Sequence, residues 1–320
     1  MMTTTTTARS AVDAAGVRRP RRGTPRQRAG YAGLLFILPG FALYLLIIGY
    51  PAVRALVISL QKFGIAPGAP SPWVGLDNYA RAVHDPVLLR SFVNAAVYMA
   101  TTVPAQILIG LALAVLLNTA LPGRTLFRVL FYLPVVTSWV IVSLLFQYLF
   151  ATDHGIVNWL LVDVAHVAGE PVDWLGGRWT AMVAIGALGV WKGVGWSMLI
   201  FLAALTGVPQ ELHEAAALDG AGAWRRFRHV TMPFLRGSLV TVTILLVIGG
   251  FNVFTSVQLM TGGGPLDQTQ VPLTYMYQQA FEYLDFGYGS SISFLLTTLV
   301  LVVSGLQYWL ARRTARGGMQ

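Results

Sequence analysis

The chain has 320 residues, 55% of them apolar and only 11% charged, with a mean hydropathy of +0.63 and a net charge of +9. So few charged side chains cannot cover a water-facing surface, which excludes an ordinary soluble domain and makes a bilayer the expected solvent. The absence of cysteine excludes disulfides and thiolate metal sites.

Residues 1–28 are rich in Thr, Ala and Arg and almost free of acid, and are read as a disordered basic arm; an organelle transit peptide is the alternative. After them come charge-free runs at 29–53, 91–123, 129–152, 237–266 and 286–311, and a run at 179–210 whose one charge is Lys192. Each exceeds the roughly 20 residues that a helix needs to cross a hydrocarbon core of about 30 Å. They predict an all-α membrane protein with six transmembrane helices near 31–50, 92–118, 127–150, 180–207, 236–258 and 289–310. The runs are too long and too uniform for the alternating strands of a membrane barrel.

The basic residues are sided. Arginines gather in the arm, at Arg124 and Arg128, at Arg225, Arg226, Arg228 and Arg236, and at Arg312, Arg313 and Arg316, while the alternate loops carry Asp77, Asp85, Asp153, Asp163, Glu170, Asp173, Asp267, Glu282 and Asp285. By the positive-inside rule both termini are cytoplasmic and the acidic loops face outward, in a multi-pass protein of the plasma membrane. This distribution also argues against nucleic acid as a partner. The resulting organisation is the arm 1–28, a first span with its outer loop over 29–90, a core of five spans over 91–311 and a tail over 312–320.

The first outer loop, with Pro67, Pro70 and Pro72 before Trp73–Tyr79, predicts a turn and an aromatic-anchored segment on the membrane surface. Between spans 4 and 5, over 208–233, Pro209 suits the first turn of a helix and Glu211 and Glu214 favour its positive end. Ala215, Ala216 and Ala217 leave that helix without bulk, so another surface can come close to its backbone. Asp219 and Gly220 are expected to break it, with Asp219 capping a second helix through Trp224, Phe227 and Val230 that Pro233 ends. From these residues alone, a docking element and a solvated surface helix are equally good readings. Before span 6, Gly262, Gly263, Gly264 and Pro265 mark a turn, and Leu273, Met276, Tyr277 and Ala280 predict a short interfacial helix over 272–281.

Within span 4, Lys192 lies about 13 residues from Trp179 and about 17 from Pro209, roughly 20 and 25 Å at helical rise, so it sits near mid-membrane. A lipid-facing lysine there costs about 2.5–3.5 kcal/mol, and no acid lies within a span to pair with it. It should face a wet path, backbone carbonyls or a partner subunit. Trp191, Lys192 and Trp196, with Ser138, Trp139 and Ser143 of span 3 and Asn252 of span 5, form a candidate polar and aromatic substrate path. For each tryptophan, packing or an interfacial belt is the competing reading. The five histidines show no metal spacing and no paired nucleophile, so no catalytic or metal-ligating residue is assigned.

The segment Glu214-Ala215-Ala216, three residues, Gly220, nine residues, Val230-Thr231-Met232-Pro233 resembles the cytoplasmic signature of binding-protein-dependent ABC importer permeases, with Val230 and Met232 where that family usually has Ile and Leu. Phe131-Tyr132-Leu133-Pro134, Trp191-Lys192 and Thr261-Gly262-Gly263-Gly264-Pro265 with Thr269 resemble its carbohydrate-importing branch of maltose and multiple-sugar type; the similarity runs from about Tyr31 to Arg313. The resemblance implies the type I ABC importer permease fold, with Glu214, Ala215, Ala216, Asp219, Gly220 and Pro233 in a coupling helix that docks on an ATPase. It further implies two cytoplasmic ATPase subunits, a second homologous permease subunit and an extracellular solute-binding protein. The chain has no phosphate-loop motif, so ATP and Mg²⁺ belong to the partner ATPase and this chain binds no cofactor. The expected cargo is a sugar or oligosaccharide. Glycerol 3-phosphate or another polyol is the runner-up, and an ion-coupled secondary transporter or a membrane scaffold are the readings from other classes.

Overall fold

The computed structural model describes residues 36–66, 68–119 and 122–317, with side chains as far as 313. The arm expected over 1–28 and most of the tail over 312–320 therefore lie outside the described side chains. The fold is mostly helical, and among the described residues its extended pairing is confined to an isolated antiparallel bridge between Gln61 and Trp73. By its internal contacts the chain divides into Met1–Arg54 and Ala55–Gln320.

The first unit is helical from Phe36, and helix α1 runs Phe36–Ser59. The sequence predicts an end near Tyr50; the helix instead continues through Pro51. A π-helical turn, Leu45–Gly49, ends two residues before that proline. Proline lacks the N–H for an i−4 bond and its ring crowds that carbonyl, so a local i−5 turn lets the helix pass without a break.

In the second unit, α2 (Asp77–His84) lies in the outer loop and packs on the last helix. Helix α3 (Pro86–Leu117) begins at Asp85, whose Oδ1 accepts from the N–H groups of Val87 at 2.9 Å and Leu88 at 3.2 Å. Helices α4 (Arg124–Val136) and α5 (Trp139–Leu149) follow, then α6 (Arg178–Thr206), α7 (Gln210–Leu218), α8 (Ala223–Phe251), α9 (Thr255–Met260), α10 (Pro272–Tyr277) and α11 (Phe286–Gly317). Among the described residues, five helices are long and apolar enough to cross a membrane, and α4 with α5 makes a sixth when that bent pair is taken as one span.

Four expectations are corrected. The straight third span is a pair of helices bent by 96°, because Pro134 and the extended Thr137 and Ser138 interrupt the helical ladder. Pro233 does not end the second cytoplasmic helix: α8 continues from Ala223 to Phe251, with a π turn at Phe227–Thr231 accommodating the proline as in α1. The fifth span ends at Phe251 rather than near 258, and α9 is a separate short helix after the irregular Asn252–Phe254. The helix at 272–281 forms, but Thr274, Tyr275 and Gln279 are buried, so it is a core element rather than an interfacial one.

Helices α3 and α6 make the central pair. Gly110 lies against Ser197, whose Cβ would be 2.8 Å from an added methyl, and Gly186, Gly189 and Gly193 face Thr102, Tyr98 and Gln106. In hydrocarbon, where apolar burial gives little drive between helices, such small residues permit the close backbone approach that packing requires. Two apolar cores flank this seam, one around Ile185, Leu188 and Val257, the other around Met198, Phe201 and Leu235. Away from them, large apolar side chains such as Leu108, Ile141 and Leu301 are exposed, as a surface in contact with lipid or another membrane helix requires.

On the acidic side a third cluster closes the unit. The hydroxyls of Tyr275 and Tyr288 each donate to Asp85 Oδ2 at 2.6 Å, and Arg81 pairs with Asp285 at 2.7 Å while lying 3.8 Å from the centre of the Tyr288 ring. One carboxylate thus ties α3, α10 and α11 together. Burial pushes the Asp85 carboxyl up, but the two phenols and the two backbone N–H groups together outweigh it and hold the value below the ordinary 3.8. A carboxylate lowered in the folded state adds stability above 3.8 and loses it as the pH falls through the lower folded value. Replacing Asp85 by Asn keeps the helix cap and weakens the latch, so the variant should lose about 1–2 kcal/mol at pH 7. Thermal unfolding in detergent checks this: the gap between wild type and variant should close as the pH falls below 3.8.

Candidate functional site

Lys192 projects from α6 towards the break between α4 and α5. Its ammonium donates to the carbonyl oxygens of Pro134 at 2.8 Å and Thr137 at 2.6 Å, with a longer contact to Val135 O at 3.5 Å. The last carbonyls of a helix have no intrahelical partner and carry the negative end of the helix dipole, so a cation here meets the need of the α4 terminus directly. The Trp139 ring, first in α5, lies 4.9 Å from the same nitrogen. Only 4% of Lys192 is exposed.

The residue also lines a cavity of about 360 Å³ between the two apolar cores. Its other walls are Tyr98, Thr102 and Gln106 of α3, Gly189, Gly193 and Trp196 of α6, Leu245, Leu246, Gly249 and Gly250 of α8, Val135 and Trp139. An adjoining cavity of about 390 Å³ shares Tyr98, Trp139 and Gly249 and adds Asn252 and Ser256. Both volumes lie in the range of small-ligand sites.

The structure brings together four of the seven residues proposed from sequence for the path. Trp139, Lys192 and Trp196 share one cavity, and Asn252 lines its neighbour, donating its amide to Ile248 O at 2.7 Å. The other three stand elsewhere. Trp191 packs on Phe146 with ring centres 5.6 Å apart, Ser143 is fully buried and donates to Trp139 O, and Ser138 is an exposed residue of the helix break. Adjacent positions on a helix point about 100° apart, so Trp191 and Lys192 cannot share a face. Sequence reasoning missed Tyr98, Thr102 and Gln106, although their four-residue spacing on one face of α3 was a usable signal.

The second candidate element is the loop between α6 and α8. Pro209 is the N-cap of α7 and Asp219 its C-cap. Gly220 follows with φ +74°, and the N–H of Ala221 closes on Ala216 O at 2.9 Å, a left-handed helix ending that favours glycine. Asp219 does not cap the next helix; α8 starts after Gly222 without a side-chain cap. Glu214, Ala215, Asp219, Gly220 and Pro233 are exposed and Ala216 is half-buried. Leu218 is 90% exposed, and Trp224, stacked on Phe227, is 71% exposed. Among the described residues the one ion pair is Arg81–Asp285, which leaves the Glu214 charge available to a partner.

Residues 106–316 match the sequence profile of the family described as "Binding-protein-dependent transport system inner membrane component". The chain is 34% identical to the lactose transport system permease protein of Rhizobium radiobacter, over 88% of this chain and 94% of that one. It is 35% identical to the diacetylchitobiose uptake system permease protein of Streptomyces coelicolor, over 88% and 87%. A chain from the crystal structure of a bacterial ABC transporter for the acidic polysaccharide alginate shares the fold with a TM-score of 0.78 at 19% identity, over 89% of this chain and 96% of that one.

Proposed function

The chain belongs to the binding-protein-dependent transport system inner membrane components, and from that premise we propose that it is one permease subunit of an ATP-driven importer of a sugar or oligosaccharide. The relatives named for lactose and diacetylchitobiose support the cargo class. In this reading α4 and α5 are one broken span, giving six, with both termini and α7 in the cytoplasm. Helix α7 is the coupling helix, and Glu214, Ala215, Ala216, Asp219, Gly220 and Pro233 shape the surface that an ATPase subunit grips. ATP and Mg²⁺ are bound by two such ATPases, a second permease completes the pore, and an outside binding protein delivers the solute.

The observation that carries the cargo reading is the lining of the central cavity. Tryptophans 139 and 196 offer apolar ring faces, as sugar rings require, beside polar groups. An ammonium has three N–H donors, and Lys192 directs all of them at backbone carbonyls. That leaves little for a phosphate and favours a neutral sugar over glycerol 3-phosphate. Proteoliposomes holding the whole complex test the reading. Uptake of a neutral disaccharide should need ATP on the cytoplasmic face and survive ionophores. Uptake that collapses with an uncoupler at constant ATP would identify an ion-coupled transporter instead.

A further inference from the structure

We propose that Gln106 and Tyr98, both on α3, are the hydrogen-bonding groups with which the central cavity recognises an uncharged, hydroxyl-bearing solute, and that Lys192 serves as its framework. The inference rests on the importer reading and adds to it the recognising side chains.

Polar or small residues recur every four positions along one face of α3, at Asn94, Tyr98, Thr102, Gln106 and Gly110. Two of them are already engaged. The Asn94 amide donates to the carbonyls of Gln268 and Gln270 and accepts from Arg178, and Thr102 donates to Tyr98 O. Tyr98 and Gln106 differ. Each is only 6% exposed, each lines the cavity, and neither the Tyr98 hydroxyl nor the Gln106 carboxamide has a hydrogen-bond partner among the described residues. Neither polar end is among the buried side-chain atoms that lack a partner, so both open onto the cavity and can be wetted when it is empty. A polar end that faces a cavity and bonds no other described residue is free to bond what enters it.

The opposite wall makes room for them. A Cβ at Gly189 would strike the Tyr98 hydroxyl, and one at Gly193 would strike the Gln106 carboxamide. Both polar ends therefore occupy space that two glycines of α6 leave open. A carboxamide supplies two donors and two acceptor lone pairs, and a phenol one donor and an acceptor, a set that suits neighbouring hydroxyls without requiring charge. The one charged residue of the lining, Lys192, is committed to Pro134 and Thr137.

Gln106→Leu and Tyr98→Phe test this in proteoliposomes of the complete complex, with lactose, diacetylchitobiose, maltose, trehalose and glycerol 3-phosphate as probes. The expected result is that wild type takes up at least one of the four sugars and that Gln106→Leu lowers its maximal rate about tenfold, the scale of one neutral hydrogen bond. Because the amide is unpaired, its loss should leave the thermal midpoint unchanged or raise it; a packing role would lower it. The chain has no native cysteine, so Gln106→Cys gives a direct second readout: a thiol reagent should label it, and the transported sugar should protect it. Normal uptake by Gln106→Leu, or labelling that sugar does not slow, overturns the proposal while the importer reading stands. Wild type that transports none of the sugars, or only glycerol 3-phosphate, overturns the importer's cargo reading and this proposal with it.

Discussion

Replacing Lys192 with methionine should cost the folded permease about 2–4 kcal/mol, seen as a lower thermal midpoint and a lower yield of assembled complex in detergent. The physical reason is the break it serves. Helix α4 ends at Val136, the chain runs extended through Thr137 and Ser138, and α5 leaves at 96°. Carbonyls at such a break have no water to turn to in hydrocarbon and must be satisfied inside the protein. An ordinary interhelical hydrogen bond in a bilayer is worth about 0.6–2 kcal/mol, but here one cation meets two carbonyls at 2.8 and 2.6 Å; methionine removes both bonds, leaving Thr137 O without this donor and Pro134 O with only the Thr137 hydroxyl and N–H. Lys192→Arg keeps the charge but swaps a compact ammonium for a broad planar fork, so it should fall between the two. A Lys192→Met complex as stable as wild type would show that other groups satisfy the break.

The second large effect is expected at the loop between α6 and α8. Gly220→Val and Glu214→Ala should each reduce uptake about tenfold or more, as the loss of a coupling free energy of a few kcal/mol requires, while permease inserts in the membrane normally. At Gly220 nothing lies within 4 Å of an added Cβ, so no neighbour is displaced. The penalty comes from φ +74°, which a β-branched residue adopts at a cost of about 1–2 kcal/mol, so the end of α7 is re-aimed. At Glu214 the side chain is exposed and without an ion pair among the described residues, so its loss removes little that the isolated subunit uses. The matching readout is the ATPase rate: in both variants, loaded binding protein should no longer stimulate hydrolysis. Unimpaired uptake in both would favour the scaffold reading.

Much of this architecture is legible without coordinates, for reasons of solvent. Charge-free runs longer than a bilayer core leave little but helices. The α7 turn is legible because Gly220 has a conformational task that few residues share. Lys192 is legible as a problem, a mid-membrane cation needing oxygen, but its solution came from carbonyls more than 50 positions earlier in the chain. The π turns ahead of Pro51 and Pro233 were not legible, since a proline in an apolar run reads as an end when it can equally be absorbed. The site was half legible. Conspicuous tryptophans and serines drew attention, and Trp191 and Ser143 proved to pack away from the cavity, whereas Tyr98 and Gln106 sit in a helix whose composition looked unremarkable and whose period carried the signal.

The most direct test of the central claim, that ATP-driven force enters this subunit through α7, is site-directed cross-linking from Ala217→Cys, an exposed position in a chain otherwise free of cysteine. In the intact complex the thiol should react with membrane-impermeant reagents only from the cytoplasmic face and should cross-link to an ATPase subunit. Labelling from outside the cell, or a complex in which this thiol forms no cross-link to any ATP-binding subunit, would contradict the account.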